Sequence, residues 1–267
     1  MNRWNGRWKE DAWKCLPLCR SYFSAHVDCV PILLSERGAQ TGGAVHWMVG
    51  NLRQGKFETL GVWVTAESGQ PDWRAVFGNL KDRGVERIRL AISSDLLNFR
   101  EDLRARFPGA MALPSFAQLL DRSVSQVASR HRAPVGERLR EIMKTGSGLE
   151  ARAALAEFES GRWGARYPVL VADWRLALEQ GWALWSLAAP LRREVLSGDG
   201  RAAALNRSLR KAVDRHGCFA DAEAAASFVK AALARAQRRL DDAHVAAVTE
   251  HHHHREGSGS KIAVLGI

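Results

Sequence analysis

The chain has 267 residues, 46% of them hydrophobic and 25% charged, a globular composition long enough for one large domain or a core with an insertion. Lys and Arg outnumber Asp and Glu by 39 to 29, which favours a polyanionic partner, nucleic acid before membrane, over a merely solvated basic surface. Four irregularly spaced cysteines (Cys15, Cys19, Cys29, Cys218) exclude a disulfide framework and read as buried thiols. The start MNRWNGRWKEDAW has no apolar signal core, and the apolar stretch around Trp182–Leu191 is about half a bilayer span, so a cytoplasmic protein with no membrane partner is expected.

In chain order, residues 1–24 are rich in Trp and Arg without clean periodicity and read as a short helix or an N-terminal adapter. HVDCVPILL (26–34) reads as a buried strand, with Pro31 requiring an edge position or a bulge. AVHWMVGNL (44–52) and FETLGVWVTAE (57–67) follow after short Gly-containing links, which predicts an antiparallel meander. DWRAVFGNLKDRG (72–84) places Trp73, Val76, Phe77 and Leu80 at helical spacing, with Gly84 suited to end the helix. RIRLAISS (87–94) reads as a strand parallel to the first, and a helix is expected from Asn98 to Phe107, stopped by Pro108–Gly109.

From 115 to about 190 the pattern is helical, with breaks at Ala133–Pro134, Gly146–Gly148 and Tyr167–Pro168. SGDG (197–200) reads as a loop, and Arg201 to Leu240 as a return to helix carrying the densest basic surface in the chain. That surface is either a solvated face or one that tracks phosphates. The tail HHHHREGSGSKIAVLGI reads as flexible, although four consecutive histidines can bind divalent metal.

Three antiparallel strands, helix, strand, helix, a long helical stretch and a closing helix suggest an α/β fold of the RNase H-like kind. Its core would be a mixed sheet with flanking helices, interrupted by an all-α insertion. Several fragments then give the chain a resemblance to bacterial Mutator-type insertion-sequence transposases. They are VDCVPILLSERG, GKFETLGVWV followed by Trp73, NLKDRGVERIRLAISSD, ARFPGA, FESGRWGARYP and LNRSLRKAVDRHGCFADAEAA. The resemblance runs from about Asp28 to Ala234 and implies five parts: residues 1–24 as a remnant adapter, 25–114 as the first part of the core, 115–196 as the helical insertion, 197–240 as the closing basic part, and 241–267 as a flexible tail.

The resemblance also implies three metal-binding carboxylates holding Mg²⁺, because two ions about 4 Å apart clamp the oxygens of an in-line phosphoryl transfer. Asp28 matches the first. The second falls on Ser94, with Asp95 one residue late as a possible substitute, and the third falls on Ala203. Asp199 lies four residues before Ala203, and the family's Cys–x–x–His pair is replaced by Ser115 and Gln118. One carboxylate of three predicts lost metal occupancy, with Asp28 as the only family metal ligand left, while the scaffold itself gains by shedding like charges.

Double-stranded DNA, transposon ends by the resemblance, is the implied partner. Arg192, Arg193, Asn206, Arg207, Arg210, Lys211 and Arg215 are the expected contacts. Three functional readings stay open: an inactive transposase homologue; a DNA- or partner-binding module regulating an active relative, with Trp63, Trp73, Trp163 and Trp174 as anchors and a homo-oligomer or an active transposase as partner; and an active enzyme using Asp28, Asp95 and Asp199.

Overall fold

A computed structural model of the chain describes residues 17–36, 39–52, 57–66 and 69–258. Three strands come first: β1 (Ser21–Glu36), β2 (Ala39–Asn51) and β3 (Phe57–Ala66). They pair antiparallel, and β4 (Arg87–Ser93) joins β1 in parallel. A fifth strand, β5 (Met111–Pro114), extends the sheet to the order β3-β2-β1-β4-β5. This mixed sheet with flanking helices is compatible with an RNase H-like core.

The strands are longer than their apolar runs, because ladder hydrogen bonds continue past the buried residues. Pro31 is tolerated for a local reason: β4 pairs with β1 only as far as Val27↔Ser93, so at Pro31 the strand has lost that neighbour and keeps β2 alone. Further along, β6 (Cys218–Phe219) pairs with Leu33 and Leu34. Neither β5 nor β6 is visible as a pattern in the sequence, being too short to show alternation.

Each face of the sheet buries a separate layer. α1 (Trp73–Asp82) is capped by the Asp72 carboxylate, which accepts from the Ala75 N–H. Gly84, at φ +96°, lets the chain leave this helix. With α2 (Phe99–Arg106), α1 packs Trp73, Phe77, Leu80, Phe99 and Leu103 onto Ala25, Val27 and Met48. The opposite face, carrying Val30, Ile32, Trp47 and Val49, is covered by α7 (Ala189–His216) and α8 (Ala222–Ser258). The insertion supplies α3 (Phe116–Gln126), α4 (Arg132–Lys144), α5 (Gly148–Ser160) and α6 (Pro168–Gln180), built around the fully buried Trp174 and joined to Leu90, Ile92 and Leu113 of the sheet.

Four expectations are corrected. SGDG is not a loop: Ser197–Gly200 lie inside α7, so the expected boundary at 196/197 falls within one continuous helix. Arg201–Leu240 is not one helix, since Gly217 at φ +83° and the β6 pairing separate α7 from α8. The backbone of the histidine run is helical, as α8 continues to Ser258, and residues 259–267 lie outside the described residues. Cys19 is exposed and Cys29 and Cys218 are half-buried, so these three are not the buried thiols expected; Cys15 and most of the 1–24 adapter lie outside the described residues. No helix among the described residues is long and apolar enough to cross a membrane.

Candidate functional site

The site forms where α7 crosses the middle of β1. Strand alternation sends His26 and Asp28 to the α7 side and Val27 and Cys29 to the α1 side. Gly198 permits the crossing, because a Cβ there would stand 3.0 Å from His26 Nε2. One face of α7 further on, Asn206 accepts a hydrogen bond from Trp47 Nε1 at 3.3 Å, and Trp47 is the register partner of Asp28. Ala203, where the resemblance expects the third carboxylate, lies on α7 between these two contacts and is 1% exposed.

Asp28 is buried at 6% exposure and ringed by donors. Its Oδ1 accepts the Cys29 N–H at 2.8 Å and the Ser94 hydroxyl at 3.4 Å, and its Oδ2 accepts from the Gln118 side-chain amide. Burial pushes its carboxyl up to about 7, opposed by the Cys29 N–H and by the nearby Arg210. Ser94 therefore stands beside Asp28, at the end of β4.

Asp95 faces away. Its carboxylate accepts from the Leu97 N–H at 2.9 Å and from the Gln70 amide, and Gln70 in turn accepts from Trp73 Nε1. That is the α1 side of the sheet, where its charge acts on Cys29. A one-residue step along the strand has put Ser94 and Asp95 on opposite faces, and the strand end does not turn enough to reverse this.

Asp199 is 3% exposed and is committed to the start of α3. It accepts the Ser115 hydroxyl at 2.6 Å and the Ala117 N–H at 2.8 Å, so it fixes the N-terminus of that helix, where a negative charge is favoured. Burial raises its carboxyl to about 6, against the Ser115 hydroxyl and the Ala117 and Phe116 amides. Ser115 also caps α3 by accepting the Gln118 N–H at 3.1 Å. The Ser115 and Gln118 side chains thus stand between the two buried acids, each as a donor to one of them.

This donor set does not fit a pair of magnesium ions. Mg²⁺ sheds water reluctantly and requires hard, negatively charged oxygens. Here both Asp28 oxygens and both Asp199 oxygens are occupied by N–H or O–H donors, and nearby Ser94 and Ala203 offer only a hydroxyl and a methyl group. Among the described residues, no three His, Cys, Asp or Glu side chains are placed to hold a metal ion.

The expected DNA contacts divide. Arg193, Arg207, Arg210, Lys211 and Arg215 are exposed along α7. Arg207 pairs with Asp121, and half-buried Arg192 donates to the Leu187 carbonyl at 3.3 Å. Asn206 is corrected: at 1% exposure its amide serves the Trp47 indole and offers nothing to a phosphate. Trp63, Trp73 and Trp174 are core residues, which leaves Trp163, half-buried beside His131 and Tyr167, as the one accessible member of the expected anchors. Arg235 and Arg239 on α8 are exposed as well, and the four-residue spacing that aligns them on one helical face is the sequence signal for them.

Comparison with known proteins agrees with this core. A transposase for insertion sequence element ISRM3 from Rhizobium meliloti is 30% identical over 213 residues, covering 80% of this chain and 53% of the relative. A probable ISRM3-like transposase from Sinorhizobium fredii matches with the same identity and coverage. A probable insertion-sequence transposase from Corynebacterium diphtheriae is 27% identical, covering 80% of this chain and 62% of the relative. The chain spans about half the length of the first two. The family profile described as "Transposase, Mutator family" matches residues 9–243, and the chain belongs to that family.

Proposed function

We propose that this chain is a DNA-binding Mutator-family homologue that has lost two-metal strand-transfer chemistry. The carrying observation is the environment of Asp28: a hydroxyl at Ser94, an amide at Gln118 and a methyl at Ala203, where the resemblance implies two further carboxylates. A lone buried acid satisfied by donors supplies one negative charge to a job that needs several, so Mg²⁺ is not held productively. DNA binding survives such losses because it rests on cations facing phosphates, and the chain carries a formal net charge of +10.

The reading in which Asp28, Asp95 and Asp199 form a rearranged site is opposed by geometry, since Asp95 faces α1 and Asp199 is spent on the α3 N-terminus. The test is a strand-transfer and cleavage assay with Mg²⁺ or Mn²⁺, on DNA carrying the terminal inverted repeats of a Mutator-family insertion sequence. No metal-dependent product is expected. Product that disappears in Asp28→Ala refutes the loss of chemistry.

A further inference from the structure

α7 and α8 run antiparallel. At one end Arg201 pairs with Asp241 at 2.7 Å, and at the other the His216 and Phe228 rings meet at 4.6 Å. Between these ends the helices enclose a groove of about 630 Å³. Lys211 and Arg215 line one wall and Arg235 and Arg239 the other, with Ala212, Ala232 and Ala236 as the floor. Each pair is spaced one helical turn apart, about 6 Å along its axis, so the two walls carry matched rails of positive charge. All four cations are exposed, and among the described residues none is paired with an acid. The groove is separate from the Asp28 site, since α7 turns Arg210 towards Asp28 and Lys211 and Arg215 away from it.

Four exposed cations facing each other across a narrow groove repel one another, and an anionic chain laid between them relieves that repulsion. The aromatic residues at the end of the groove pack on one another: His216 stacks on Phe219 at 4.1 Å, and Phe228 packs against both rings. Binding of a single strand relies on open aromatic faces for its bases, whereas duplex DNA presents its charged backbone outward.

We infer that the α7–α8 groove seats one phosphodiester backbone of duplex DNA, as a sequence-independent clamp separate from the Asp28 site. This rests on the DNA-binding reading above and gives it a location. The test is fluorescence anisotropy of the full chain with a labelled duplex of arbitrary sequence, and with the matching single strand, between about 50 and 200 mM salt. In the combined variant Lys211→Gln, Arg215→Gln, Arg235→Gln, Arg239→Gln, the slope of log affinity against log salt on duplex should become shallower by roughly 3 to 4, at about 0.9 per lost phosphate contact. The control Arg74→Gln, Arg104→Gln, on exposed positions of α1 and α2, should change the slope by less than about 1. Thermal melting confirms that the variants fold, and the two pairs on α7 and α8 are measured separately if the combined variant does not. An unchanged slope in variants of a parent that binds duplex overturns the groove and spares the DNA reading. A loss confined to the single strand also overturns it, and a parent with no salt-dependent retention of duplex overturns both.

Discussion

Replacing Asp28 with Asn should stabilise the protein at alkaline pH and leave it almost unchanged at acid pH. An aspartate of the unfolded chain titrates near 3.8, whereas burial holds Asp28 up to about 7 in the fold. Between those values the folded state keeps a proton that the unfolded state releases, so this group's contribution to stability falls as pH rises from about 4 to about 7. Above that window an ionised carboxylate sits in a dry site, at a linkage cost of roughly 4 kcal/mol. Asn carries no charge, keeps an oxygen for the Cys29 N–H, and can meet Gln118 after rotation of the Gln118 amide. Allowing for an imperfect fit of the two amides, Asp28→Asn should gain about 2–4 kcal/mol at pH 8, raising Tm by roughly 4–8 °C. Near pH 4 the gain should vanish. The similarly raised Asp199 is present in both proteins and enters the difference only through its repulsion of an ionised Asp28. Thermal melts of the two proteins from pH 4 to pH 8 provide the measurement. Equal Tm differences at both ends, or a variant less stable at pH 8, would refute the account of Asp28 as a desolvated lone acid.

Two further outcomes follow from the α7 crossing. Gly198→Ala should destabilise by about 1–3 kcal/mol, because the new methyl meets His26 Nε2 at 3.0 Å in a packed layer. Gly200→Ala has nothing within 4 Å and should stabilise the helix by up to about 1 kcal/mol; equal effects in denaturant melts would contradict the close approach at Gly198. The double variant Ser94→Asp, Ala203→Glu should rebuild an acidic cluster with Asp28, losing stability without metal and regaining it with Mn²⁺. At a hundredfold excess over Kd the gain is about 2.7 kcal/mol, and a metal response equal to that of the parent chain would count against this placement of the two residues.

The first four strands and α1 were legible in the sequence because turns, apolar runs and helical spacing are short-range patterns. HVDCVPILL marked β1 by its apolar run, and Trp73, Val76, Phe77 and Leu80 marked α1 by their spacing. The resemblance located Asp28, Ser94 and Ala203, and their placement around α7 and the β4 end is a matter of contacts the sequence does not carry. β5 and β6 were missed because two to four residues hold no periodicity, and their pairing is enforced by neighbouring strands.

SGDG marks the boundary between the two kinds of information. Locally, two glycines flanking an aspartate favour a turn, and helix propensity penalises each glycine by about 1 kcal/mol. In the fold, Gly198 lets α7 approach His26, and Asp199 anchors the start of α3 through Ser115 and Ala117. Burial of α7 against β1 and β2 outweighs the local preference. The sequence by itself determined the family and the first four strands of the sheet, and the resemblance put a serine and an alanine at two expected carboxylate positions. Only the tertiary structure decided that Asp95 faces away, that Asp199 is a helix anchor, and that the basic residues of α7 and α8 line one groove, because each depends on contacts between residues far apart in the chain.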